Sequence, residues 1–177
     1  EKLRWFNRQY LQKISEEIFA KEALKILETA MHGAGIKWNE PIGKSILGLV
    51  RERIRVWGDI QELVDSGELE FFFADPKLAP SDIPGTGSDA ENAMRHLTSA
   101  LNIASKIPAE EFSSYETIKK ALWDYATEVG RGAVLWPLRY SLTGRKQSPD
   151  PFLVASIIGK DATVRRIAEA IEKLRTP

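Results

Sequence analysis

The 177 residues include no cysteine and only two histidines, His32 and His96. Lack of cysteine removes disulfides, thiolate zinc sites and cysteine nucleophiles together, and it suits a reducing cytoplasm. The histidines fall in different expected helices, and neither has a second ligand type three or four residues away, so no zinc helix is expected. His32 closes a helix, where an imidazole is favourable for the dipole alone, and both histidines read as structural. No run approaches the roughly 20 apolar residues that a membrane-spanning helix needs. An excess of one charge is also missing, because Lys and Arg (25) balance Asp and Glu (25). That balance advertises no global field for nucleic acid or membrane, yet a local basic stripe would suffice to contact a few phosphates. The chain opens on Glu1-Lys2-Leu3-Arg4-Trp5 with neither an initiator methionine nor a signal-peptide pattern, and is expected to be a piece of a longer cytoplasmic protein.

Strand alternation and internal repeats are missing too, so the expected fold class is all-α. Hydrophobic residues at 43% are enough, at this length, to bury the core of one large domain or two small ones. Leu3, Phe6, Tyr10, Leu11 and Ile14 mark a first helix, and Ser15 is placed to cap a second that carries Ile18, Phe19, Ala23, Leu24, Ile26 and Leu27. A third, with Pro41 in its first turn, runs from Ile42 through Ile46 and Val50 to Ile54, and Asp59 opens a short one ending at Ser66-Gly67. The prolines and glycines between Asp75 and Gly87 cannot continue a helix. Residues 1–70 therefore form an expected first helical sub-domain containing the Arg53 helix, 71–87 a linker, and 88–177 a second sub-domain. Ser88 with Glu91 reads as the capping box of a long helix ending before Pro108, and Ser114 caps the next. Two shorter helices, closed by Gly144 and Gly159, and a final one from Lys160 complete the chain.

Catalytic constellations are weak. Glu16-Glu17 and Glu110-Glu111 sit in first turns, where negative charge is expected in any case. Gly85-Thr86-Gly87 precedes a helix but lacks the third glycine of a dinucleotide fingerprint and the Gly-Lys-Ser/Thr of a P-loop. Five tryptophans could stack bases, Trp57 best of all beside its arginines, but in a helical protein they serve more often as core anchors. Two basic constellations remain: Arg51, Arg53 and Arg55 at one helix end, and Arg131, Arg139, Arg145 and Lys146 around a proline-rich loop. Arginine can read a base edge or clamp a phosphate, while a solvated helix face explains the same pattern, and the residues alone leave both open.

The chain resembles the C-terminal anticodon-binding region of bacterial-type glutamyl-tRNA synthetases. Lys2-Leu3-Arg4-Trp5-Phe6-Asn7-Arg8-Gln9-Tyr10, Leu49-Val50-Arg51-Glu52-Arg53, Pro137-Leu138-Arg139-Tyr140-Ser141-Leu142-Thr143-Gly144 and the tail Ser148-Pro149, Phe152, Ile158-Gly159-Lys160-Asp161 carry the resemblance in order. It implies that Arg53 reads the third anticodon base, cytosine in glutamate and guanine in glutamine anticodons. It further implies that Arg139, Ser148, Pro149, Asp150 and Pro151 hold the first two, with Arg51, Arg55, Arg145 and Lys146 serving nearby phosphates. Ser141 stands where the family usually has alanine, and Gly130-Arg131-Gly132 where lysine is frequent. The family's H-I-G-H and K-M-S-K-S signatures are missing, so this piece would bind tRNA(Glu) as a monomer without activating glutamate. The parent protein would be a glutamate-tRNA ligase whose catalytic half, in cis, holds ATP and Mg. A helical scaffold for a protein partner, without RNA, is the alternative, and it requires an exposed apolar patch.

Overall fold

The computed structural model describes the backbone of residues 2–175 and the side chains of residues 7–175. The expected apolar contacts of Leu3, Trp5 and Phe6 lie outside the described residues. Ten α-helices and no strand are present among the described residues, as the all-α expectation requires. The chain divides into two compact units, the first ending at Ala74 and the second beginning at Asp75.

The first unit holds α1 (Lys2–Lys13), α2 (Glu16–Gly33), α3 (Glu40–Ser45), α4 (Leu47–Arg53), α5 (Asp59–Asp65) and α6 (Glu70–Phe73). Ser15 caps α2 as expected, its hydroxyl accepting from the Ile18 amide at 3.3 Å. Phe19, Ala23, Leu27, Ala30 and Met31 form the buried stripe of α2. Ile18 and Tyr10, read from spacing as core positions, are instead 54% and 61% exposed. Each lies one residue before a buried neighbour that was also expected in the core, Phe19 or Leu11, so the true stripe is narrower than the apolar run. The helix expected without a break from Ile42 to Ile54 is divided at Ile46, whose backbone relaxes to φ −91°, ψ −2°. Ile46 is fully buried there, and periodicity could not show the break because both halves keep the same apolar face. Trp38 lies over Gly43, where a Cβ would collide with its ring, and stacks on Phe73 at 5.5 Å.

The second unit is built from α7 (Ala90–Lys106), α8 (Tyr115–Val129), α9 (Arg131–Thr143) and α10 (Pro151–Arg175), with α7, α9 and α10 packed on one another. Gly159, at φ 82° and ψ 172°, kinks α10 into the two arms that the glycine predicts. Leu78 and Ile83 are buried, so the proline-rich stretch before α7 packs as part of this unit. The cap of α7 is Asp89, whose carboxylate accepts from the Asn92 amide at 2.8 Å, and not Ser88 as expected. A carboxylate satisfies the amide and the helix dipole together, which a hydroxyl cannot.

Two buried polar groups tie this unit together. Arg166 is 3% exposed; its Nε donates to Asp75 at 3.1 Å and its Nη1 to the Leu142 carbonyl at 2.7 Å. The hydrogen bond from Arg165, against partial burial and with help from Arg166, holds the Asp75 carboxyl below the usual range. His96 is 5% exposed, with Nδ1 at 2.7 Å from the Tyr125 hydroxyl. Burial, and secondarily the charge of Arg95, pushes its imidazole below the ordinary pKa.

Replacing Asp75 by alanine strips one partner from a buried guanidinium and should cost the second unit about 1–3 kcal/mol in urea denaturation. The contribution of His96 has a defined sign in pH. Because its folded pKa is lowered, the unfolded chain takes up the proton first, and stability falls as pH drops below about 6.5. The loss of melting temperature between pH 7.5 and pH 5.5 should be smaller in His96→Gln than in the unaltered chain.

Candidate nucleic-acid interface

Arginine-bearing α9 ends abruptly because Gly144 adopts φ 64°, letting its amide donate back to the Tyr140 carbonyl at 2.7 Å. A Cβ at Gly144 would stand 3.0 Å from both the Lys77 carbonyl oxygen and Pro76, so glycine also permits this close approach. Thr143 secures the turn: its hydroxyl donates to the Arg139 carbonyl at 2.8 Å and accepts from the Arg145 amide at 3.2 Å. The far end of the loop is held equally firmly. Asp150 caps α10 by accepting from the Phe152 amide at 2.8 Å, and Pro151, buried, occupies the first helical position, where no amide is needed. Between these clamps Lys146 and Gln147 are exposed and Ser148 and Pro149 half-buried, with the Ser148 hydroxyl turned onto the Pro149 carbonyl at 3.1 Å.

The structure thus gathers Arg139, Arg145, Lys146, Ser148, Pro149, Asp150 and Pro151 on one loop and its two helix ends. Their electrostatics are uneven. Lys146 pairs with Asp82 at 3.0 Å, and Arg145 is half-buried with its amide engaged by Thr143. Arg139 is half-buried, and its Nε is enclosed with no hydrogen-bond partner among the described residues. An enclosed donor without an acceptor costs about 1–3 kcal/mol.

In the first unit Arg51 is set apart from Arg53 and Arg55. Arg51 turns back onto α1: Nε donates to the Leu11 carbonyl at 3.1 Å, Nη2 to Gln12 and Ile14 carbonyls at 3.0 and 2.6 Å, and the guanidinium lies 5.0 Å from the Phe19 ring centre. It satisfies the carbonyls that a helix end leaves open. Arg53 is exposed and pairs through Nη1 with Glu68, while its Nη2 and Nε have no partner among the described residues. Arg55 is exposed beside it, its backbone amide held by the Asp59 carboxylate at 2.6 Å. Arg53 and Arg55 share a groove of about 400 Å³ with Asp59, Glu62 and Glu68. A groove carrying acids as well as arginines suits a group with both donors and acceptors better than a bare phosphate.

Glu68 and Asp82 were not foreseen as partners, since neither stands at a helical spacing from Arg53 or Lys146. The described tryptophans have protein contacts: Trp57 stacks on Phe19 at 5.3 Å, and Trp136 donates to the Asp82 carbonyl at 3.2 Å. Among the described residues no acidic or histidine cluster could hold a metal, and no helix is long and apolar enough to cross a membrane.

The second unit thus carries a loop clamped at both ends, and the first carries two exposed arginines in one groove, on an all-helical framework among the described residues. Residues 1–171 match the anticodon binding domain family, and the chain belongs to it. The glutamate-tRNA ligase of Clostridium acetobutylicum is 33% identical over 98% of this chain and 34% of its own length. That of Flavobacterium johnsoniae is 35% identical over 98% of this chain and 32% of its own. The crystal structure of a glutamate tRNA ligase from Elizabethkingia meningosepticum in complex with its amino acid superposes with a TM-score of 0.72, at 28% identity, over 97% of this chain and 32% of that one. The chain spans about a third of the length of these relatives.

Arg51→Met should lower the stability of the first unit by about 1–3 kcal/mol, because it leaves the end of α1 without its donors. Arg55→Ala should stay within about 0.5 kcal/mol of the unaltered chain, as exposed positions do. Urea titrations of the two variants check both.

Proposed function

We propose that this chain binds the anticodon arm of tRNA(Glu) as the C-terminal part of a glutamyl-tRNA synthetase and discriminates glutamate from glutamine anticodons. The observation that carries this reading is the loop from Gly144 to Pro151, fixed at both ends, with Arg139 in the last turns of the preceding α9 holding a donor still unsatisfied. Single-stranded loop bases are read on their pairing edges by such presented backbone and arginine groups. A loop already ordered before binding loses less entropy when RNA arrives.

In this reading the first two anticodon bases meet Arg139, Ser148, Pro149, Asp150 and Pro151. Asp150 and Pro151 act mainly by shaping the backbone, since the carboxylate is engaged by α10 and the proline is buried. Arg139 gains an acceptor for its enclosed Nε through a small shift of its side chain. Arg53 tests the third base: its guanidinium donates to O2 and N3 of cytosine, whereas guanine presents N1 and N2 donors there and is rejected. Glu68 holds one end of that guanidinium and leaves Nη2 and Nε for the base. Arg55, Arg145 and Lys146 approach phosphates, and Arg51 serves the fold that places Arg53. The catalytic half in cis would hold ATP and Mg. A protein-docking scaffold finds less support, because the exposed large apolar side chains among the described residues are Tyr10, Ile18 and Val129 alone.

Filter-binding titration against tRNA(Glu) and tRNA(Gln) tests the reading directly. The unaltered chain should prefer tRNA(Glu), and Arg53→Gln should reduce that preference; equal preference in both proteins removes Arg53 from base reading. Arg145→Ala with Lys146→Ala should lower the slope of log affinity against log salt by at most about two units.

A further inference from the structure

Along one half-buried side of α8, Tyr115, Lys119 and Trp123 follow one another at helical spacing, and Arg131, exposed, arrives from the start of α9. The Arg131 guanidinium lies 4.5 Å from the centre of the Trp123 ring. The Lys119 ammonium lies 5.5 Å from that ring and 5.3 Å from the ring of Tyr115. Neither cation has a carboxylate within ion-pairing distance among the described residues, although Glu116, Asp124 and Glu128 are near in sequence. The difference from Arg53 and Lys146 is chemical. Arg53 and Lys146 are paired with Glu68 and Asp82, which cancels part of their charge. A ring face orients a cation without neutralising it, so Lys119 and Arg131 keep both position and full charge.

The patch is also joined to the loop. Tyr115 and Trp123 each meet Phe152 edge-on at 6.4 Å, and the Phe152 amide is the group that Asp150 caps. Phe152 is 1% exposed, so these rings are packed against the residue that ends the loop.

We propose that Lys119 and Arg131, carried on Trp123 and Tyr115, form a phosphate-binding strip for the RNA strand adjoining the bases held by the Gly144 to Pro151 loop. This rests on the function proposed above and adds to it a surface of the second unit that contacts backbone, not bases. Two cations held over one pair of rings give sequence-independent affinity and help to fix the register of the bases against the loop. Arg131 directly follows Gly130, whose φ of 105° separates α8 from α9.

The test uses the 177-residue chain and a synthetic anticodon stem-loop of glutamate sequence. Lys119→Gln with Arg131→Gln should lower the slope of log affinity against log salt by about 1.4 to 1.8, the value for two phosphate contacts, and leave the ratio between glutamate and glutamine hairpins unchanged. Lys119→Arg with Arg131→Lys should keep the original slope. In the unaltered chain, RNA should shield the Lys119 amine several-fold from an acylating reagent, read by mass spectrometry, a measurement independent of how well any variant folds. An unchanged salt slope in the neutral variant, or an unshielded Lys119 in an RNA-saturated chain, overturns the strip while leaving the parent function standing. Failure of the unaltered chain to bind either hairpin overturns both.

Discussion

The buried guanidinium of Arg166 is the joint on which the second unit depends. It reaches back to Asp75, where the unit begins, and across to the Leu142 carbonyl, one residue before the end of α9. A charge this deep persists only when its donors are satisfied, so the start of the unit, the end of α9 and the second arm of α10 are held in a single arrangement. Residues 76 and 77 are thereby kept against Gly144, whose missing Cβ leaves room for them. The loop that follows inherits a fixed origin.

From that origin the physical chain to function is short. Gly144 and Thr143 set the exit of α9, Asp150 and Pro151 set the entry to α10, and between them Lys146 and Gln147 are exposed while Arg145, Ser148 and Pro149 are half-buried. Charge is distributed with equal economy. A chain with no net charge cannot attract RNA by bulk field, so individual cations must be placed and kept from cancellation. Some are paired with carboxylates, Arg51 is bonded to the end of α1, and Lys119 and Arg131, like Arg51, lie over aromatic rings.

Local chemistry was the legible part of this fold. Ser15 and Ser114 cap helices as their spacing suggests, and Gly144 and Gly159 stop or bend helices at their own positions, because caps and glycine turns depend on three or four neighbouring residues. The break at Ile46 was not legible, since an unbroken apolar period runs through it. Asp89 displaced Ser88 because two good caps stood side by side and only the packed register decides between them. The membership of the candidate loop could be seen in Pro137 to Pro151, but the partners of its charges could not. Arg51 was expected to serve phosphates and instead bonds the end of α1, and Arg166 was not singled out at all; their acceptors lie in distant segments, and no periodicity links an arginine to a carbonyl across the fold.

The central claim, that a preformed loop of the second unit and the Arg53 groove of the first each engage the anticodon arm, is open to hydrogen exchange with and without a glutamate anticodon stem-loop. Slowed exchange should be confined largely to peptides covering 53–59 and 144–152, with the loop already partly protected before RNA is added. A bound hairpin that leaves both stretches unprotected, or that slows exchange only in other helices, would contradict it.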